Sequence, residues 1–194
     1  MSITLTPKLK QEYEELFDSC VTKEAKRAAV DAIVKKIVAN RPGYEAVQSR
    51  TKVPWYVVAV IHSMEGSLNF KTHLHNGDPL TAKTVHVPKG RPPGTPPFQW
   101  EDSAVDALAF DNMTAVKKWN LATALFKLEG FNGFGYRTKH PEVLTPYLWS
   151  FSNHYQKGKF VADGKFDPTA VSKQCGAAVI LKSLSSQIQN MFLD

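Results

Sequence analysis

The stretch Val53–Phe70, VPWYVVAVIHSMEGSLNF, is the most informative about the fold. Pro54 suits the first turn of a helix, and Gly66 is well placed to end it. Because apolar residues lie on nearly every face between these two positions, the pattern predicts a central, buried helix. Glu65 lies at the carboxyl end of this helix, directly before Gly66.

The position of Glu65 in the sequence bears on the protonation state expected for its carboxyl group. An ionised carboxylate is costly to bury, and the carboxyl end of a helix is the negative end of its macrodipole. Both effects favour the protonated form, which a general acid needs near neutral pH. The alternative is a glutamate that reaches solvent at the helix end or caps a loop amide, and position alone leaves both interpretations open.

Helical patterns occupy much of the remaining chain. Apolar residues at three- or four-residue spacing predict two helices within residues 7–40, with Thr6 as a cap and Pro7 in the first turn. Further helices are predicted between residue 44 and Pro54, at 100–111, at 114–129, and from Asp167-Pro168 towards Phe192.

Strand-forming residues concentrate in one place. Asn76-Gly77-Asp78-Pro79 is a turn signal, residues 81–87 favour a strand, and the proline-rich stretch 88–97 predicts an irregular loop. The fold is therefore predicted to be mainly α (α+β), with a small β hairpin next to the helix of Glu65. The length fits a single domain over 1–194, in which 1–43 are a helical support and 44–194 form the core.

The composition is that of an ordinary soluble globular chain, with 43% hydrophobic and 22% charged residues. The net charge of +6 is scattered, and no basic run of five or more predicts a nucleic-acid partner. The apolar runs fall short of the roughly 20 residues that cross a bilayer, so stable membrane insertion is not predicted. Cys20 and Cys175 could form one disulfide, but two buried, reduced thiols are the favoured interpretation.

Three blocks of the sequence carry a family resemblance. The stretch Ile61–Phe70 resembles the signature of goose-type lysozymes and soluble lytic transglycosylases, in which a helix-ending glutamate precedes a small residue and a phenylalanine. His73–Leu80 and Tyr147–Tyr155 are similar to blocks in phage endolysins and lysozyme-like bacterial proteins. The resemblance covers about residues 44–190 and implies a fold of the lysozyme superfamily.

The resemblance also implies a reaction, cleavage of the β-1,4 bond between N-acetylmuramic acid and N-acetylglucosamine in peptidoglycan. Glu65 would protonate the leaving glycosidic oxygen, and an inverting hydrolase would need a base to orient water on the opposite face of the sugar. Asp78 is the candidate base, and its alternative is a turn aspartate that bonds backbone amides. Thr81 or Thr84 could also hold the water.

Several residues are candidates for lining the sugar cleft. Muramidases often have a Tyr-Asn-Gly-like stretch at the cleft, and Gly130–Arg137 is similar. Aromatic faces and amides suit N-acetyl sugars, although each such residue could equally be core. The predicted substrate-binding residues are Thr84, Tyr136, Tyr147, Trp149, Asn153 and Tyr155. Glu129, which ends another helix, could be a second acid and ranks below Glu65.

Other chemistry is less well supported by the sequence. His62, His73, His75 and His86 make a zinc site imaginable, but no His-Glu-x-x-His motif or cysteine ligand pair is present, so neither metal nor cofactor is predicted. The expected partner is the peptidoglycan glycan strand, acted on by a monomer. Because Met1–Lys8 lacks the pattern of a secretory signal, the chain is expected to be cytoplasmic when made and to reach the cell wall after release.

Three rival functions remain open at this point. A lytic transglycosylase would use the sugar's own 6-hydroxyl and leave a 1,6-anhydro product, which requires one carboxyl group only. The chain lacks the Gly-Leu-Met-Gln block typical of those enzymes. A chitinase-like enzyme is a weaker rival, and a non-catalytic wall-binding or phage structural protein is the rival from another class.

Overall fold

The computed structural model describes residues 3–189 and 191–192 and confirms the mainly α class with a minor β component. A short 3-10 turn at Glu24–Lys26 precedes the second helix. The elements over these residues are α1 (Pro7–Asp18), α2 (Arg27–Ala39), α3 (Arg41–Thr51), α4 (Trp55–Gly66), α5 (Trp100–Phe110), α6 (Leu121–Asn132), α7 (Gly135–Lys139), α8 (Pro146–Trp149), β1 (Lys159–Ala162), β2 (Lys165–Asp167) and α9 (Ala177–Ser185).

The chain divides into two compact units. The central unit is residues 35–119, which contain α3, α4, α5 and the long loop between α4 and α5. The terminal unit combines the described residues up to Val34 with those from Asn120 onward, and it contains α1, α6 to α9 and the β hairpin. The expectation of a single domain with a support at 1–43 stays a prediction.

In the terminal unit, α1 packs against α6, and α9 packs against α8. The predicted cap of α1 is confirmed, because the Thr6 hydroxyl accepts a hydrogen bond from the Leu9 amide at 3.2 Å. Gly176 precedes α9, and a Cβ there would lie only 2.2 Å from the carbonyl oxygen of Leu148. This close approach explains why a glycine stands at the junction of α8 and α9.

The predicted position of the β hairpin was wrong. Residues 81–87 form no strand, and the segment after α4 contains only an isolated bridge between Thr72 and Pro79. The hairpin instead joins β1 and β2 in the terminal unit, with Phe160 opposite Phe166. Its turn contains Asp163-Gly164, a favoured hairpin sequence whose glycine has φ +66°.

Two helix boundaries also differ from the prediction. The last helix begins at Ala177 and not at Asp167, because the Asp167 carboxylate accepts hydrogen bonds from the amides of Thr169 and Ala170 and holds a turn after β2. Residues 114–120 lie outside α6, whose true cap is Asn120, bonded to the Thr123 amide.

Both cysteines are free and buried in the terminal unit, which confirms the prediction of reduced thiols. Burial raises the pKa of Cys175 to about 12, and neighbouring Cys20 adds to the shift. Thiolate formation near neutral pH is therefore strongly disfavoured at this position.

Among the residues that the structure describes, no helix combines the length and apolar character required to span a membrane.

Candidate active site

Helix α4 is buried along nearly its whole length, as its sequence predicts. Ten of its twelve residues are buried, and Glu65 is partly exposed at its carboxyl end. Glu65 is the only acidic residue of the helix. The fold of the central unit therefore presents one carboxyl group at the end of an otherwise apolar helix.

An aromatic cluster fixes the carboxyl end of α4. The His62 ring lies 4.6 Å from Phe70 and 4.7 Å from Trp100, measured between ring centroids. Nδ1 of His62 also shares a 3.1 Å hydrogen bond with the hydroxyl group of Tyr44 on α3. Phe70 follows Glu65 by a few residues, and Trp100 begins α5. The cluster therefore packs the end of α4 and the segment after it against α5.

The backbone directly after Glu65 turns sharply. Ser67 and Leu68 both adopt left-handed conformations, with φ of 51° and 59°. A Cβ on Gly66 would lie 2.8 Å from Oγ1 of Thr72, so the chain returns very close to the helix end. Consecutive left-handed residues other than glycine are energetically costly and tend to occur at functional positions.

The turn Asn76–Pro79 lies against Glu65. Gly77 has φ +79°, and a Cβ there would lie 2.5 Å from the carbonyl oxygen of Glu65. The amide of Gly77 donates to the carbonyl of His73, and the amide of His73 donates to the carbonyl of Asp78. The turn is thus a short, closed structure whose tip packs on the backbone of the candidate acid.

The Asp78 carboxylate is fully engaged within this part of the chain. Oδ2 accepts hydrogen bonds from the amides of Val85 and His86 at 2.8 and 3.0 Å, and Oδ1 accepts one from Nδ1 of His86 at 2.6 Å. Burial by itself raises the pKa of Asp78, but these hydrogen bonds outweigh it and lower the pKa to about 2. Such a carboxylate is a weak base with both oxygens occupied, so the geometry favours the structural interpretation of Asp78 over the predicted base.

Two histidines anchor the loop to α5. His73 is bonded through Nδ1 to Oγ of Ser103 at 2.7 Å, and its Nε2–H donates to the carbonyl of Ala82. The Nε2–H of His75 donates to Asp106 at 2.8 Å, and Arg91 donates to the same carboxylate through Nε and Nη2. Within the described part of the chain, no group of three or more potential ligands is arranged for a metal ion.

The Thr84 side chain forms hydrogen bonds inside the loop between α4 and α5. Its side chain is buried, its hydroxyl donates to the carbonyl of Pro88, and the same oxygen accepts from the amide of Arg91. Thr84 was predicted to contact the sugar directly, and its burial argues against that prediction.

The other predicted substrate residues belong to the terminal unit, where two of the five line one groove. Tyr136 and Tyr147 border a groove of about 320 Å³, together with Phe160. Polar residues and residues of both charges also line it: Asn132, Lys139, Lys159, Asp163 and Gln174. A groove lined by aromatic and polar side chains is the kind of surface that binds sugars, but Tyr136 and Tyr147 are only 5% and 9% exposed. The sequence did not single out Phe160 or the two lysines.

The remaining three predicted residues serve the internal structure of the terminal unit. Trp149 is completely buried. The Asn153 side chain accepts from the Val21 amide and donates to the Ser19 carbonyl. The hydroxyl of Tyr155 donates to the Gly158 carbonyl and accepts from the Ser172 amide. The core interpretation thus fits Trp149 and Tyr155, and Asn153 is a link between two loops.

Glu129, the candidate second acid, is 1% exposed. It accepts hydrogen bonds from the Tyr13 hydroxyl at 2.6 Å and from Nε of Arg137 at 2.9 Å, and Arg137 also binds Glu12. Burial raises the pKa of Glu129, although Tyr13 and Arg137 favour its ionised form. This buried network links α1 to α6. It gives Glu129 a structural role that requires no part in catalysis.

Acid should destabilise the fold through the buried histidines. Burial lowers the pKa of His62 to about 4, against an ordinary value of 6.5, and it also lowers the pKa of His75. The unfolded chain then binds more protons, so this stability is present above pH 6.5 and is lost as the pH falls towards 4. For His62 alone we expect a loss of about 2 to 3 kcal/mol near pH 4.5.

Urea unfolding near neutral pH and at about pH 4.5, followed by tryptophan fluorescence, measures this loss. His62→Phe removes the titrating group, so its free energy of unfolding should fall less over the same interval. An equal fall in the native protein and in His62→Phe would contradict the assignment to His62.

Comparison of the chain with known protein families, with curated proteins and with solved structures found no match. Functional assignment therefore depends on the geometry of the site and on the resemblance carried by the short blocks around Glu65.

Proposed function

We propose that the protein is a muramidase with a lysozyme-like fold, which cleaves the β-1,4 bond between N-acetylmuramic acid and N-acetylglucosamine in peptidoglycan. The observation that carries the proposal is the partly exposed Glu65 carboxyl group at the end of the buried helix α4. A general acid must carry its proton to the leaving group, and the negative end of the helix macrodipole is a position that suits this role. No cofactor enters this mechanism.

In the proposed reaction, Glu65 donates its proton to the glycosidic oxygen while an oxocarbenium-like state develops on the muramic sugar. The proton leaves with the N-acetylglucosamine hydroxyl. Water then adds to the anomeric carbon of the muramic sugar to give a reducing end, its second proton passes to the solvent, and the Glu65 carboxylate takes up a proton again from the solvent. The constraints on both sides of Glu65, at Ser67-Leu68 and at Gly77, would hold its backbone in one position. Such fixed placement is what acid catalysis needs from the protein.

One observation favours a second candidate, a lytic transglycosylase. Both oxygens of Asp78 are occupied by loop hydrogen bonds, so Asp78 is poorly suited to activate a water molecule. A transglycosylase needs no such water, because the muramic 6-hydroxyl attacks the anomeric carbon intramolecularly, gives its proton to the Glu65 carboxylate and leaves a 1,6-anhydro end. The two candidates share Glu65 as acid and differ in the product.

Mass spectrometry of fragments released from purified peptidoglycan tests the proposal. Reducing muramic ends from the native protein, absent with Glu65→Gln, are the expected result for the muramidase. Anhydro-muramic ends that also depend on Glu65 would establish the transglycosylase. If several wall types yield no fragments with the native protein, the enzymatic proposal is wrong and a wall-binding protein becomes the better interpretation.

A further inference from the structure

Three exposed residues form the tip of the loop after the Asn76–Pro79 turn. Val85 is 65% exposed, Val87 is 88% exposed, and the side chain of His86 between them is 77% exposed. We call Val85–Val87 the loop tip. Two valines this exposed bury little apolar surface in the central unit, so burial within the unit does not explain them.

The backbone of the loop tip is nevertheless fixed by hydrogen bonds to neighbouring residues. At its base the Thr84 amide donates to the Arg91 carbonyl, the Arg91 amide donates to the Thr84 hydroxyl oxygen, and the Gly90 amide donates to the Thr84 carbonyl. Asp78 binds the amides of Val85 and His86 and the ring of His86. Exposed apolar side chains on a backbone fixed at this many points are a preformed contact surface, since little conformational entropy is left to lose on binding.

The same turn connects the loop tip to the candidate acid. Asp78 follows Gly77, which packs on the carbonyl oxygen of Glu65. The Asn76 side chain donates to the Val87 carbonyl at 3.4 Å. One turn of four residues thus touches Glu65 on one side and the loop tip on the other, all within the central unit.

We propose that the loop tip contacts the glycan strand during cleavage, and that Asp78 is the positioning residue that fixes the tip for this contact. Pyranose rings of N-acetyl sugars present apolar faces, which suit the valine side chains, and polar rims, which suit the imidazole of His86. The inference rests on the proposed function and gives Asp78 a role that needs neither a free oxygen nor a proton transfer.

Steady-state kinetics on solubilised peptidoglycan strands test the role of the tip. Val87→Ser should raise KM about fivefold with kcat nearly unchanged, because an apolar contact to the substrate is lost. Val87 is almost fully exposed, so the variant should fold as the native protein does. Val171→Ser is the matched control, since Val171 is 56% exposed in the terminal unit and outside the groove, and it should leave KM unchanged.

Asp78→Asn separates positioning from proton transfer. As a positioning residue, Asp78 acts through the tip, so Asp78→Asn should raise KM about tenfold and lower kcat by less than about threefold. Combined with Val87→Ser, it should raise KM by less than the product of the two single effects, because both changes remove the same contact. A fall in kcat of about 10²-fold or more at unchanged KM would instead make Asp78 the base and overturn the inference.

Binding separates failure of this inference from failure of the proposed function. In the Glu65→Gln background, sedimentation with purified peptidoglycan sacculi should show about fivefold weaker binding for Val87→Ser than for Val171→Ser. If the native protein releases fragments but Val87→Ser matches Val171→Ser in both KM and binding, the inference is wrong and the enzyme stands. If no fragments are released, the function fails, and equal binding by the two variants overturns the inference as well.

Discussion

Glu65→Gln should reduce the rate of peptidoglycan cleavage by about 10²- to 10⁴-fold, which is the range that general acid catalysis contributes. Glutamine has the same size as glutamate, but its amide is far too weak an acid to transfer a proton to the leaving oxygen. Because Glu65 is partly exposed at a helix end, the substitution should change the midpoint of thermal unfolding only slightly. Release of reducing sugar ends over time measures the rate.

A matched control is available on α3 of the same unit. Glu45 is an exposed helical glutamate that forms an ion pair with Arg41 at 2.7 Å, so Glu45→Gln should keep the native rate. If Glu65→Gln folds and cleaves peptidoglycan as fast as Glu45→Gln does, Glu65 is not the acid. Glu129 would then be the next carboxyl group to substitute, with attention to stability because Tyr13 and Arg137 depend on it.

The sequence predicted the central helix well because the signals are local and redundant. Pro54, the continuous apolar run and Gly66 each point to the same helix, and the structure has it at Trp55–Gly66. The cap at Thr6 was predictable for the same reason, since a hydroxyl before a first-turn proline satisfies a nearby amide. The placement of Glu65 at the end of a buried helix follows from these local signals alone.

The loop after α4 could not be predicted in the same way. Residues 81–87 have strand-forming side chains, but the amides of Val85 and His86 bond to the Asp78 side chain and the Thr84 amide bonds to the Arg91 carbonyl. Among the described residues, no strand pairs with this segment. These partners are several residues away and depend on the fold. Periodicity cannot distinguish such a loop from a hairpin, although the true hairpin carried the signal Asp163-Gly164 between strand-forming residues.

The predicted site residues divide according to what their polar atoms bond to. Thr84 and Tyr155 have hydroxyl groups that are fully used within loops, which no sequence pattern reveals. The sequence also could not predict the roles of His73 and His75, because their partners Ser103 and Asp106 lie about 30 residues later, on α5. A polar residue type thus predicts a hydrogen bond but not its partner.

Gly77→Ala should be among the most damaging single substitutions in the central unit. Alanine at φ +79° costs about 1 to 2 kcal/mol in backbone strain alone. Its Cβ would also stand 2.5 Å from the carbonyl oxygen of Glu65, which is backbone and has no rotamer by which to move away. Relief requires the Asn76–Pro79 turn and the end of α4 to separate, and a shift of about 1 Å at a catalytic group can cost about 10²-fold in rate.

Gly90→Ala separates the backbone strain at positive φ from the steric clash with the Glu65 carbonyl oxygen. Gly90 has a nearly identical φ of +80°, but nothing lies within 4 Å of a Cβ at that position. It should therefore lose only the conformational part, about 1 to 2 kcal/mol in urea unfolding, whereas Gly77→Ala should lose more stability and most of the cleavage rate. Equal losses in both variants would show that the contact between Gly77 and Glu65 has no energetic weight. In that case the position of Glu65 would depend on the aromatic cluster around His62 and not on the turn.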